Sequence, residues 1–290
     1  MRTLKEATEW ARGRGIALGH FNISDSNQLK AVAEAARETQ LPVIVGLSEG
    51  EREYFPIAHA RSLIDLYRKD GVELFLNADH TYSIEKVRAA VDDGVDSVVV
   101  DGAKLSFEKN VAYTREAIAY ARAASASRRS EVVIEGELGY IGSSSTVLDA
   151  LPEGAQVTEE LMTKPEEAAQ FVRDTGADCL APAVGNVHGI VKGGDPKLSI
   201  SRIKEIADAA GVPIVLHGGS GNKPEEFTEA IRSGIAIVHI NTELRLAYRN
   251  ALEKTLAEKP DEVAPYKFLA PSVEAMKDFL VAKIRLFAME

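Results

Sequence analysis

The chain contains one cysteine, Cys179, and no long apolar run. A lone cysteine excludes an intramolecular disulfide and suits a reducing compartment, so the expected location is cytoplasmic. No stretch approaches the about 18 uninterrupted apolar residues of a membrane-spanning helix. The start, Met1-Arg2-Thr3-Leu4-Lys5-Glu6, runs into a mixed amphipathic stretch without the apolar core of a signal peptide. Positive charge is in deficit: 34 Lys and Arg against 44 Asp and Glu leave a formal net charge of −10. That balance argues against a nucleic-acid or anionic-membrane partner. An anionic small molecule is still admissible, because a few local donors and a cation outweigh a diffuse negative surface. Internal repeats and low-complexity tracts are also missing.

What is present is a regular alternation. Short apolar runs recur at 16–22, 42–47, 73–78, 96–101, 131–138, 178–184, 213–217 and 236–241. Most are too short for buried helices and rich in Val, Ile or Leu, as expected of strands covered on both faces. Amphipathic helical patterns lie between them, among them 26–39, 84–93, 164–174 and 200–209. Eight such alternations in 290 residues predict one α/β domain over 1–290, a single (β/α)8 TIM barrel, a fold that typically uses about 250 residues. The polar stretch 142–160, with Ser143-Ser144-Ser145 and Pro152-Glu153-Gly154, reads as a lid on the catalytic face. Residues 271–290 read as an additional C-terminal helix with Val273, Met276, Phe279, Leu280 and Ile284 along one stripe. That stripe is expected to cap the barrel or to pack on a sister subunit.

Barrel active sites sit where the strands end. Those ends carry Asn22, Ser48, Asp79-His80, Asp101-Gly102, Glu135 and Glu137, Asn186 to Gly189, His217 to Ser220, and Asn241-Thr242. Of six histidines, three (His80, His188 and His217) fall at such ends. Three imidazoles with one open position make a recognised catalytic metal arrangement. A lone strand-end histidine is more often a satisfied polar residue, but three together, each beside a carboxylate or glycine, favour a shared ion. His20, His59 and His239 read as structural. Gly218-Gly219-Ser220-Gly221 and Asn241-Thr242 follow strands seven and eight, where barrels often cradle phosphate on backbone N–H groups. Gly189 and Lys192 would add an amide and a cation. Asp79 suits proton transfer or, alternatively, orients a ligand histidine. Asp101, Glu135 and Glu137 form either a second cation site or a carboxylate layer behind the histidines. Cys179, in mid-strand, reads as core.

These residues resemble a known family. Asp79-His80, Asp101-Gly102, Glu135-Gly-Glu137-Leu-Gly139, Gly185-Asn-Val-His188-Gly189, His217-Gly218-Gly219-Ser220 and Asn241-Thr242-Glu243 are similar to the motifs of class II (metal-dependent) fructose-bisphosphate and tagatose-bisphosphate aldolases. The motifs keep their order and spacing over most of the chain. The resemblance implies Zn2+, or another divalent cation, on His80, His188 and His217. It implies Asp79 as acid/base at the C4 hydroxyl of a phosphorylated ketose, cleaved to dihydroxyacetone phosphate and an aldehyde. It implies phosphate contacts from Gly189, Lys192, Gly218, Ser220, Asn241 and Thr242, with Gly219 in the same turn, a monovalent cation near that phosphate, and substrate contacts from Asn22 and Ser48. A homodimer or homotetramer is implied as well.

Two departures bear on the substrate. Many relatives carry adjacent acidic residues in the loop after strand five, where this chain reads Gly142-Ser-Ser-Ser-Thr-Val-Leu-Asp149. Asp149 and Glu153 are the nearest acidic residues, and neither is in register. Lys104 stands where relatives usually have histidine. A shorter or unphosphorylated partner substrate is therefore the alternative. A metal-dependent barrel hydrolase is a more distant rival, since many carry a His-x-His pair on strand one and Gly19-His20-Phe21-Asn22 lacks it. A Schiff-base aldolase would need a lysine within a strand.

Overall fold

A computed structural model describes residues 1–125, 131–143, 145–194 and 196–290. Ser144, in the expected lid, lies outside the described residues. The strands are β1 (Leu18–Asn22), β2 (Val43–Leu47), β3 (Leu74–Thr81), β4 (Ser97–Val100), β5 (Val133–Leu138), β6 (Val147–Leu148), β7 (Cys179–Pro182), β8 (Ile190–Val191), β9 (Ile214–Leu216) and β10 (Ile235–Ile240). Eight of them close a parallel barrel in the order β1-β10-β9-β7-β5-β4-β3-β2. All eight expected strands are found, most with their ends trimmed by one or two residues. The exceptions are β3, which runs on to Thr81, and β10, which starts one residue early at Ile235.

Side chains alternate between the two faces of a strand, and this alternation sorts the barrel interior into layers. Leu18, Ile44, Phe75, Val133, Cys179, Val215 and Ile237 form an apolar floor, together with Leu4, Ala7 and Ala11 of the N-terminal helix Leu4–Gly13. Cys179 is thus a core residue. The helix that plugs this end is started by a reciprocal cap: Thr3 Oγ1 accepts from Glu6 N (3.2 Å) and Glu6 Oε2 accepts from Thr3 N (2.8 Å). Two residues further along the same strands the interior turns polar: His20, Asn77, Glu135, His217 and His239 are all buried. Floor and active layer therefore come from one alternation.

Outside the barrel, the apolar faces of the helices pack on the outward residues of the strands to form the larger core. The helices Ser26–Thr39, Ile84–Asp92, Pro165–Thr175 and Ile200–Ala210 lie within a residue or two of their expected bounds. The C-terminal helix, Ala270–Phe287, spends its stripe inside the chain, against Ser26–Thr39 and Thr242–Glu258. Val273, Met276, Leu280 and Ile284 are buried there and Phe279 is half-buried. The stripe is therefore not a free face for a sister subunit. No helix among the described residues is long and apolar enough to cross a membrane.

One polar anchor holds β3, β4 and the helix Ile57–Lys69 together. Asp96 Oδ2 accepts from Arg61 Nη1 (2.9 Å), Arg68 Nη2 (3.1 Å) and Leu76 N (2.7 Å). Asp96→Ala leaves two largely buried guanidinium groups without that carboxylate, so it is expected to cost about 3 kcal/mol. The shift of the urea midpoint measures it.

Candidate active site

The site begins with an irregularity in β3. The register of β3 on β4 shifts between Ala78 and Thr81, and His80 sits at φ 37°, a left-handed conformation uncommon outside glycine. An extra residue in a strand re-aims the side chains beside it. Here it turns Asp79 and His80, which regular alternation would send to opposite faces, toward one mouth.

His80, His188 and His217 converge there. One ring nitrogen from each lies within 4.8 Å of the others, and His80 Nε2 is 3.2 Å from His217 Nδ1. Ligand atoms around a tetrahedral zinc with bonds of about 2.1 Å are separated by about 3.4 Å, so the spacing fits one ion. The far nitrogen of each ring meets an acceptor. His80 Nδ1 faces Asp101 Oδ2 (2.9 Å) and Glu137 Oε2 (3.3 Å), His217 Nε2 faces Glu135 Oε1 (2.6 Å), and His188 Nδ1 faces Gly142 O (2.8 Å). A carbonyl only accepts, so Nδ1 of His188 bears the proton and its Nε2 is free to bind a cation. Burial, then the charge on His80, depresses His188 to about 4, which keeps it neutral.

The carboxylates divide by environment. Burial would raise Asp79, but the charge on His80 and the nearness of His239 hold it well below the usual carboxylate range. Burial and the charge of Asp101 push Glu137 up to about 7, and burial with Asp79 and Glu137 raises Glu135 well above its ordinary value. Burial would raise Asp101 too, but the hydrogen bond and charge of His80 outweigh it and lower Asp101 as well. Asp79 and Asp101 are thus held ionised, while Glu135 and Glu137 stand behind the imidazoles with their pKa values raised.

Asn22, Ser48, Asp79, His80, His188, Gly189, Gly218, Ser220, Asn241 and Thr242 line one cavity. Gly218, at φ 59°, lies where a Cβ would fall 2.2 Å from Val187 O, so the backbone passes there only as glycine. The helix Thr242–Glu258 opens on Asn241, whose side chain does not cap it; Ser220 Oγ accepts from Glu243 N (3.3 Å) instead, tying the helix start to the turn after β9. Two expected contacts are not brought in. The Lys192 ammonium meets Asp149 in an exposed ion pair (2.7 Å), and Gly219 N is spent on His239 O (3.1 Å). Neither Asp149 nor Glu153 lines the cavity.

The stretch after β5 forms β6, which pairs with β8 in a two-stranded ribbon. Ile190 N donates to Thr146 O (3.0 Å) and Lys192 N to Leu148 O (2.8 Å), so the loops after β5 and β7 are tied together.

Several lining or adjoining residues escaped the sequence reading. His239 lines the cavity with Nδ1 3.6 Å from Asp79 Oδ1 and stacks on His20 (3.5 Å) and His217 (4.0 Å). Gly46 makes room for the His20 ring, which a Cβ there would meet at 2.2 Å. Tyr82 and Arg245 also line the cavity, and Glu51 lies just behind it. His59 is an exposed helix residue, as expected.

Three converging imidazoles and an ionised carboxylate at the C-terminal mouth of a closed barrel define a barrel enzyme with a candidate metal centre. The family model "Fructose-bisphosphate aldolase class-II" matches residues 2–290. A probable fructose-bisphosphate aldolase of Bacillus subtilis is 35% identical over 290 residues, covering 98% of this chain and 96% of its own length. The fructose-bisphosphate aldolase of Geobacillus stearothermophilus is 34% identical with the same coverage. Among solved structures, the YdjI aldolase from Escherichia coli K12 superposes with TM-score 0.81 at 28% identity, over 98% of this chain and 96% of that one. A putative fructose-1,6-biphosphate aldolase from Coccidioides immitis gives 0.83 at 27%, with the same coverage. The chain belongs to the class-II fructose-bisphosphate aldolase family and is an aldehyde-lyase by reaction class.

Proposed function

We propose that the chain cleaves a phosphorylated ketose, fructose 1,6-bisphosphate or a close relative, to dihydroxyacetone phosphate and an aldehyde. His80, His188 and His217 would hold a divalent cation, zinc by family analogy. That ion, when bound, supplies a Lewis acid for a substrate carbonyl oxygen. Asp79 takes the proton of the C4 hydroxyl as the C3–C4 bond breaks and the new aldehyde carbonyl forms. The bonding pair stays on C3 of the dihydroxyacetone phosphate half, which is then protonated. Asn22 donates to Asp79 Oδ2 (2.9 Å) and fixes the base. Gly189, Gly218, Ser220, Asn241 and Thr242 would receive the phosphate on N–H and hydroxyl donors, and a monovalent counter-ion beside it is implied by the family resemblance alone. A homo-oligomer in the cytoplasm is the expected setting.

The observation that carries this reading is the ionised Asp79 beside three imidazoles whose far nitrogens are all occupied. Among the described residues Arg245 is the one cationic side chain lining the cavity, and it is already paired with Glu51. This favours testing monophosphates as well. Zinc-loaded protein is offered fructose and tagatose 1,6-bisphosphates and the corresponding 1-phosphates, and dihydroxyacetone phosphate is measured. Release from at least one is expected; none from any would overturn the assignment.

A further inference from the structure

A chain of hydrogen bonds leads from the proposed base to the rim of the barrel. Asn22 Nδ2 donates to both Asp79 Oδ2 and Glu51 Oε2, each at 2.9 Å. Glu51 Oε1 pairs with Arg245 Nη2 at 2.5 Å, and Arg245 Nη1 donates to Ser145 O at 3.2 Å. Glu51 is 6% exposed, although it lies on the short rim helix Glu49–Tyr54. We infer that Glu51 and Arg245 are positioning residues: their ion pair fixes the amide of Asn22, and through it the carboxylate of Asp79, and links both to the loop after β5.

The physical reason lies in the amide. An asparagine side chain has one donating and one accepting end, and which end points where is decided by its partners. Two carboxylates flank Asn22, so only the NH2 end can serve the side facing both. Without Glu51 the amide is free to rotate about its last torsion, and Asp79 Oδ2 loses a fixed donor. Arg245 supplies the countercharge that a buried carboxylate requires.

A plainer role exists for Glu51, because its Oε2 also accepts from Ser48 N (2.8 Å) as the third residue of that helix. Capping needs one oxygen and no cation. It does not explain why Oε1 is matched to an arginine from the other end of the chain, brought to it across β1 by closure of the barrel. An anion-receptor role for Arg245 is opposed by the same pairing, since the Glu51 carboxylate already balances its charge.

This inference rests on Asp79 being the base, and the experiment separates the two claims. Turnover and KM on the best-cleaved substrate are measured for Glu51→Gln, Asn22→Ala, their double variant and Asp79→Ala, with bound zinc and melting temperature recorded for each. Misplacing a catalytic group by a fraction of an ångström costs about tenfold or more, so Glu51→Gln is expected to lower kcat by about that factor, with KM and zinc unchanged. In the Asn22→Ala background the same change is expected to add less than about twofold, because residues acting as one unit are not additive. Equal losses in both backgrounds, or a lowered melting temperature with unchanged kcat, would overturn the inference in favour of capping alone. Should Glu51→Gln fail to fold, Arg245→Gln, on the solvent side of the pair, is read by the same criteria. A wild-type-like Asp79→Ala would remove the base assignment itself. An inactive Asp79→Ala beside a fully active Glu51→Gln would remove only the positioning role.

Discussion

Asp79→Ala is expected to retain a divalent cation loaded on His80, His188 and His217 and to lose about two to four orders of magnitude in kcat, the scale set by deleting a positioned acid–base group. The cation is retained because the three imidazole nitrogens are held from behind by Asp101, Glu137, Glu135 and the Gly142 carbonyl, none of which depends on Asp79. The loss is large because no other carboxylate is poised for the task. Glu135 is engaged with His217 and Glu137 with His80, and burial favours the protonated form of both. Asp101 is held ionised too, but it is spent on His80 Nδ1 and does not line the cavity. Asp79 is held ionised and lines the cavity beside the imidazoles, with its Oδ1 3.6 Å from His239 Nδ1. Asp79→Asn keeps the shape and the contact with Asn22 but removes the base, and it is expected to be as inactive as the alanine variant. Steady-state kinetics with zinc quantified per chain checks both variants. Turnover within tenfold of the parent would move the acid–base role elsewhere.

Removing the cation has the other large effect. Dialysis against a strong chelator is expected to lower cleavage by at least about three orders of magnitude, because the carbonyl then lacks its Lewis acid. Added zinc restores it. Borohydride in the presence of substrate is expected to leave activity intact, since no lysine lines the cavity among the described residues and no Schiff base is available to trap. The stripped protein also melts lower. An ion present at about a thousand times its Kd stabilises the folded state by about 4 kcal/mol, and that contribution goes with it. Chelator-resistant cleavage, or inactivation by borohydride, would point to imine chemistry instead.

The fold was legible because burial on both faces of a parallel strand leaves unbroken Val, Ile and Leu runs. β2 (Val43–Leu47) and β4 (Ser97–Val100) could scarcely be read as anything else. The convergence of His80, His188 and His217 on one mouth was legible because strand ends are one location in this fold. The bulge in β3 was not, since nothing in Ala-Asp-His-Thr announces a left-handed histidine. His20 and His239 were read as structural, yet each stands two residues before an asparagine at its strand's end, Asn22 closing β1 and Asn241 just after β10, and strand alternation puts both members of such a pair on the inner face. The register pairs His20 directly with His239, which stacks their rings. That signal was available. Lys192 was read as a cation for the phosphate from its place in the loop after β7, but the ribbon of β6 and β8 sends it outward to Asp149. Glu51 and Arg245 could not have been paired from sequence. They belong to the second and the last βα units, which become neighbours only when the ring closes.

That ring closure sets a condition on how the protein is made. β1 and β10 come from opposite ends of the chain, and the helix Ala270–Phe287 lies across their junction, where Phe287 O accepts from Ala17 N (3.0 Å). Pairings so distant in sequence form slowly, because the loss of chain entropy precedes any reward from contact. While translation is under way, the apolar flank of Ser26–Thr39 waits uncovered for a partner that the ribosome has not yet released. Nascent chains halted before that helix should therefore be trapped by chaperones, and full native protection should arise only after its emergence.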